Sequence, residues 1–189
     1  MSKVVIAGDA SGTGTFTISA PNGNTDRTLV LPDEAGTVLT SAGVPASAMP
    51  AGSVIQVVQS ALTTFVSTSS SSYVTSTLTA TLTPSSASNK IFVMLNGGAF
   101  DFSSSAALGS TSLYRNIGGS GDSFLTFLEQ SYVGSSTWSL PHSACYLDSP
   151  STTSSVVYTP YFKQNNGVPF IFNNGYAVPV TLTLMEIAG

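Results

Sequence analysis

Apolar residues alternate with hydroxyl residues at every second position along much of the chain. In residues 180–185, Val180, Leu182 and Leu184 fall on one side of this pattern. Period-two alternation is typical of a β-strand that packs one face against a core. No segment keeps a period of 3.6 residues, so we expect helices to be short or absent. Apolar runs that predict strands occupy residues 54–59, 78–82, 91–95, 113–114, 124–128, 144–147, 156–162, 170–172 and 180–187.

Turn-forming residues separate these runs, as in Asp148-Ser149-Pro150 and Asn165-Asn166-Gly167. About eight strands in about 135 residues, with a turn every dozen or so, are typical of double-sheet β proteins. The sequence therefore predicts an all-β fold, an antiparallel β-sandwich that resembles a jelly roll.

The first 43 residues contain only short apolar runs, which are too small to bury a core on their own. We interpret 1–43 as an N-terminal arm that pairs with another protein, 44–50 as a proline-containing linker, and 51–189 as the sandwich head. The apolar side chains of the arm are its candidate anchor residues: Phe16, Ile18, Leu29, Leu31, Val38 and Leu39.

Charged residues make up only 7% of the 189 residues, whereas 32 are serine and 23 are threonine. A typical soluble domain carries about 25% charged residues. Edge strands normally use charged side chains to prevent association with a neighbouring copy. Because these strands have so few charges, we expect the chain to form an oligomer.

The same composition excludes several classes of partner and site. A net charge of −4 with five Lys or Arg cannot neutralise many phosphates, so no nucleic-acid binding is expected. One cysteine excludes an internal disulfide and a four-ligand zinc site, and acidic residues are not clustered as calcium requires. The longest aliphatic run, 91–95, is far shorter than the about 20 residues that span a bilayer, and no export signal is recognisable. We expect no cofactor, no metal and no membrane insertion.

The candidates for catalysis are weak. His142 and Cys145 are three residues apart, and in a strand this spacing puts them on opposite faces; a buried cysteine and a loop histidine are the simpler interpretation. No G-x-S-x-G motif is present, and the acidic residues of the head are isolated from one another in sequence. We therefore expect the protein not to be an enzyme.

Aromatic and amide residues near turns are the candidates for contact with a receptor, because binding residues collect in loops. Trp and Tyr are also common at protein interfaces, so the alternative is that these residues pack in the core or between subunits. The candidates are Tyr132, Trp138, His142, Asn173, Asn174 and Tyr176.

Residues 31–41, LPDEAGTVLTS, resemble the LPD-x-x-GT-L-T segment of tail-fibre and related surface proteins of tailed bacteriophages. Residues 12–21 look like the short strand that precedes this segment in those proteins. Four later segments, at 83–91, 112–115, 146–150 and 184–187, are similar to a head domain common among phages of aquatic bacteria. The resemblance implies a trimeric virion surface protein with a β-sandwich head, made in the host cytoplasm.

Two functions remain open from the sequence. In the first, the protein is a tail-fibre or receptor-binding module whose head contacts polysaccharide or protein on the host surface. In the second, it decorates the capsid, a role that the short chain favours. In both, the arm pairs with the arms of sister subunits or with an anchoring virion protein, and the head forms a homotrimer. The candidates for the trimer interface belong to the first strand of the head: Val54, Ile55, Val57 and Val58.

Overall fold

The structure is a computed structural model that describes residues 11–15, 17, 22–26, 28, 44–102, 107–134, 139–173 and 178–189. The chain divides into two compact units, Met1–Val38 and Leu39–Gly189. This division falls before the arm boundary that the sequence predicts at residue 43. The candidate anchor residues of the arm all lie outside the described residues: Phe16, Ile18, Leu29, Leu31, Val38 and Leu39.

Strands make up most of the described part of the second unit. One 3-10 helix, Ala46–Ala48, lies in the predicted linker. None of the described residues belongs to a helix long and apolar enough to cross a lipid bilayer. The strands are β1 (Val54–Leu62), β2 (Val66–Thr68), β3 (Val74–Thr75), β4 (Ala80–Leu82), β5 (Lys90–Phe102), β6 (Ala107–Ile117), β7 (Ser123–Val133), β8 (Ser139–Asp148), β9 (Val156–Gln164), β10 (Phe170–Asn173) and β11 (Val180–Ile187).

The first sheet is built around the long strand β5. One edge of β5 pairs with β8, from Ile91 opposite Asp148 to Asp101 opposite Ser139. The other edge pairs with β11 along its first half and with β10 near its end. Beyond these, β1 pairs with β11 and β2 pairs with β10, all antiparallel.

The second sheet has the order β3-β9-β6-β7, with β4 also paired to β9. β3 and β4 pair with successive stretches of β9. In the first sheet, β11 and β10 likewise pair with successive stretches of β5, with β1 and β2 outside them. Each sheet is therefore four strands wide. Counting each of the tandem pairs β1–β2, β3–β4 and β10–β11 as one strand leaves eight strands among the described residues. When these eight are renumbered along the chain, the first sheet has the order 1-8-3-6 and the second has the order 2-7-4-5. This is the strand order of a jelly roll. The predicted all-β sandwich is therefore confirmed, whereas trimer formation stays a prediction.

The alternation in the sequence determines which side chains the two sheets enclose. Val180, Leu182 and Leu184 of β11 are fully buried, while Thr181 and Met185 on the other face of the strand are partly exposed. At one end of the sandwich, phenylalanine rings from both sheets form an aromatic cluster with ring centroids 5.0 to 5.9 Å apart. The members of this cluster are Phe100, Phe102, Phe162, Phe170 and Phe172.

A glycine pair allows β5 to serve two partners on one edge. Gly97 and Gly98 have φ angles of +86° and +64°, a region that favours glycine. The register with β8 shifts just after Gly97, between the stretch that pairs with β11 and the stretch that pairs with β10. A Cβ atom at Gly98 would lie 2.2 Å from Val180 Cγ2, so a side chain does not fit there. The pair is thus a bulge inside a strand rather than the end of one.

Candidate functional site

The predicted receptor-contact residues are in very different surroundings. Tyr132, on β7, is 66% exposed and is available to a partner. His142 is 1% exposed and Asn173 is fully buried, so the expectation of an accessible position is wrong for these two side chains. Trp138, Asn174 and Tyr176 lie outside the described residues, and their role stays a prediction.

His142 joins the two sheets instead of facing solvent. It lies on β8, where its ring packs 4.0 Å from the ring of Phe100. Its Nδ1 atom is 2.5 Å from Oε2 of Glu129 on β7 of the opposite sheet. This contact lowers the pKa of Glu129 against the opposing effect of burial. The pair connects the edge strands of the two sheets and gives the buried imidazole a carboxylate partner at Nδ1.

Asn173 has a comparable structural role. Its Nδ2 donates hydrogen bonds to the carbonyl oxygens of Leu62 and Thr64, at 2.9 and 3.1 Å. These bonds fix the short connection between β1 and β2. Because a fully buried amide needs hydrogen-bond partners, the two carbonyl oxygens of this connection allow an asparagine at this position.

Cys145 and His142 do not form a catalytic pair. Cys145 is exposed, whereas His142 is buried, so the two side chains point to opposite faces of β8 as their spacing predicts. The interpretation of a buried cysteine and a loop histidine is wrong on both counts, because the histidine is the buried residue and lies within a strand. In the described part of the chain, no three His, Cys, Asp or Glu side chains gather in a way that could hold a metal ion.

The candidate trimer residues lie on the edge strand β1, which among the described residues pairs with β11 alone. Val54 and Val57 are 47% and 56% exposed. Val58 faces the other way and packs against the core, and Ile55 is half-buried beside a register shift. β1 contains no charged residue, so its exposed edge lacks the usual protection against association.

Val57 begins an apolar row that crosses the outer face of the first sheet. The pairing places Val57 opposite Met185, Met185 opposite Phe92, and Phe92 opposite Leu147. Leu147 is 48% exposed, and Met185 and Phe92 are partly exposed. We call these four residues the apolar row. It gives every strand position of this sheet an apolar side chain directed at solvent.

The outer face of the second sheet carries an aromatic stripe, formed by residues of β9, β6 and β7 and one residue just before β3. Neighbouring rings are in contact: Tyr114 stacks on Tyr161 at 4.0 Å, and Phe124 meets Phe127 edge to face at 4.9 Å. Hydrogen bonding to Asp122, more than burial, raises the pKa of Tyr161 to about 12. The stripe consists of Tyr73, Tyr161, Tyr114, Phe124 and Phe127.

At one end of this stripe is a groove of about 470 Å³. Phe127, which is 70% exposed, and Tyr73 provide its aromatic surfaces, with ring centroids 6.5 Å apart. Tyr132 lies two residues beyond Gln130 on β7, so this predicted contact residue points to the same face as the groove. The groove is lined by Tyr73, Ser110, Phe127, Leu128, Glu129, Gln130, Lys163 and Asn165.

The polar side of the groove combines a cation with amide and hydroxyl groups. Lys163 Nζ lies 4.9 Å from the centre of the Tyr73 ring, within the range of a cation–π contact. Asn165 Nδ2 donates to Ser110 Oγ at 2.6 Å. Exposed aromatic rings beside such polar groups are suited to ligand binding.

The groove is not visible in the sequence, because its parts come from four separate segments. The Phe124 to Leu128 run predicts a strand, but nothing in it shows that Phe127 is exposed. Tyr73 and Lys163 are about 90 residues apart and meet only because β3 pairs with β9. The one available signal was a concentration of aromatic residues in runs that are otherwise polar.

Neither a known protein family's sequence model nor a curated protein matches this chain. Among solved structures, it is similar to a structure of the infectious bursal disease virus Gx strain, with 11% sequence identity and a TM-score of 0.33. That match covers 82% of this chain and 46% of the other, so the chain spans less than half the length of the protein it matches.

Proposed function

We propose that this chain is a non-enzymatic surface protein of a tailed-phage virion, that it forms a homotrimer through its sandwich head, and that it attaches the virion to the host. The apolar row on the outer face of the first sheet is the observation that carries this proposal. An exposed apolar row beside an edge strand without charges is the kind of surface that a subunit interface covers. The jelly-roll order and the LPDEAGTVLT resemblance both support a virion protein.

Two of the described acidic side chains of the head have structural roles. Glycoside hydrolysis requires two carboxyl groups facing one bond. Here, Asp148 is bound by Arg115 and Tyr158, and Glu129 by His142 and Ser131. Both carboxylates therefore serve contacts within the chain.

Attachment at the tail is the primary proposal, and capsid decoration is the alternative. Antibodies against the purified protein, located by electron microscopy on intact virions, distinguish the two. Labelling confined to the tail supports attachment, and labelling spread over the capsid supports decoration. Failure to label any virion structure would contradict both.

Val57→Asp should separate the proposed trimer without unfolding the chain. Val57 is 56% exposed and lies at the edge of its sheet, so a carboxylate there is solvated in the monomer. In an interface the same carboxylate would be buried without a partner, at a cost of several kcal/mol. Light scattering coupled to size exclusion should give the mass of one chain, and circular dichroism should match the wild type.

The matched control is Val178→Asp. Val178 is 59% exposed, as Val57 is at 56%, but it lies outside β1 and outside the apolar row. This variant should keep the mass of the wild-type oligomer. If Val57→Asp also kept that mass, the apolar row would not be the interface.

A further inference from the structure

We propose that the groove beside the aromatic stripe binds a pyranose saccharide and prefers one that carries a carboxylate. This inference rests on the proposed attachment function and specifies the chemistry of its receptor. Four properties of the groove support it: the exposed rings, the polar groups, the size, and a lysine that forms no ion pair within the described part of the chain.

The exposed rings fit the apolar face of a sugar. Phe127 is 70% exposed, although it lies within a strand and contacts Phe124 and Tyr73. An isolated exposed ring is ordinary, but a ring held by two others presents a fixed flat surface. The C–H groups on one face of a pyranose stack on such a surface, and water is released from both.

The polar groups fit the hydroxyl rim of the same sugar. Gln130 and Asn165 carry amides, which both donate and accept hydrogen bonds, as sugar hydroxyls do. Asn165 is oriented by its bond to Ser110 Oγ and by its backbone bond to the Leu108 carbonyl. A polar group that is already oriented loses little conformational freedom when a ligand binds.

The size of the groove separates it from the other described cavity. About 470 Å³ lies within the ~300–1,000 Å³ range of small-molecule sites, which suits a mono- or disaccharide. A second cavity of about 250 Å³ is lined by alanine, serine and glycine residues together with Met49 and Asn89, and its lining contains no aromatic ring. Only the first of these two therefore combines stacking surfaces with hydrogen-bonding groups.

The charges of the groove favour an acidic sugar. Among the described residues, Lys163 forms no ion pair, whereas Glu129 is occupied by His142 Nδ1 and by a hydrogen bond from Ser131 Oγ. The lysine is thus the charge available to a ligand. A sugar carboxylate beside Lys163 Nζ would form a charge-assisted hydrogen bond.

Titration of the full-length protein by nuclear magnetic resonance tests the proposal. The probes are the methyl glycosides of glucose, galactose, N-acetylglucosamine and glucuronic acid, and sodium acetate supplies a carboxylate without a ring. We expect the glucuronide to shift the Tyr73 and Phe127 signals and to bind more tightly than the glucoside. Phe127→Ala should weaken binding about tenfold or more, and Lys163→Met should remove the preference for the glucuronide.

Phe65→Ala is the matched control, because Phe65 is a 57% exposed aromatic residue outside the groove, and it should leave binding unchanged. The proposal is overturned if none of the four glycosides binds, if acetate shifts the same signals equally, or if Phe127→Ala binds like the wild type. If the protein is a trimer and antibodies locate it on the phage tail, but it binds no glycoside, this inference alone is contradicted. A monomer that binds the glucuronide would contradict the proposed trimer and leave this inference standing.

Discussion

Asp148→Ala should lower the free energy of unfolding by about 3 kcal/mol, because it removes the acceptor of a buried network that joins the two sheets. Asp148, on β8 of the first sheet, has a side chain only 5% exposed. Both its oxygens lie 2.8 Å from Arg115 Nη1 on β6, and Oδ2 also accepts from the Tyr158 hydroxyl of β9 at 2.6 Å. Without the carboxylate, a guanidinium and a buried hydroxyl lose their partner.

Urea unfolding followed by circular dichroism measures this loss of free energy. In thermal unfolding, the melting temperature should fall by roughly 6–12 °C. Asp122→Ala is the matched control, since Asp122 also accepts from a tyrosine hydroxyl at 2.6 Å but is exposed. Its loss should cost no more than about 1 kcal/mol. Equal costs for the two variants would show that the buried Asp148 network stabilises the sandwich no more than an exposed hydrogen bond does.

Glu186→Ala should be similarly destabilising, by about 3 kcal/mol, because one fully buried carboxylate serves four donors. Its Oε1 accepts from the Ser85 amide, the Ser85 hydroxyl and Asn89 Nδ2, at 2.6 to 2.8 Å. Its Oε2 accepts from Gln56 Nε2 at 2.5 Å. The residue thus ties the edge strand β1 and the loop before β5 to β11, and chemical unfolding at neutral pH measures the effect.

The contribution of Glu186 should also depend on pH. Burial alone would raise the pKa of Glu186, but the hydrogen bonds from Asn89, Gln56 and Ser85 outweigh it and hold the pKa below its usual value of 4.5. Its stabilisation is therefore fully present above pH 4.5 and is lost as the pH falls through the lower folded-state pKa. The stability difference between wild type and Glu186→Gln should therefore shrink as the pH falls through that interval.

The fold could be predicted largely because burial follows the alternation of side chains. Strands β1, β9, β10 and β11 begin at or within a residue of the predicted apolar runs. Leu78, Ala80 and Leu82 alternate with threonines and are all buried, although only the last two lie in β4. A strand with one face against the core needs an apolar residue at every second position, and this pattern is visible in a single sequence.

The surfaces could be predicted only in part, because exposure depends on which strands become neighbours. Val57 was identified from β1 itself, but the apolar row also needs Met185, Phe92 and Leu147 in register, and that register is set by long-range pairing. His142 is a polar residue next to a proline, which predicts an exposed loop position, but it is buried. Its partners Glu129 and Phe100 come from other strands and are not visible in the local sequence. Gly97 and Gly98 resemble a strand end for the same reason, because only the tertiary pairing shows that β5 continues beyond them.

Light scattering of the full-length wild-type protein, coupled to size exclusion at micromolar concentration, tests the central claim most directly. The apolar row and the charge-free edge of β1 predict a single species with the mass of three chains of 19.3 kDa each. The mass should persist at high salt, because the proposed contact is apolar and not ionic. A chain that remains monomeric under these conditions would contradict the account of this protein as a trimeric virion surface protein.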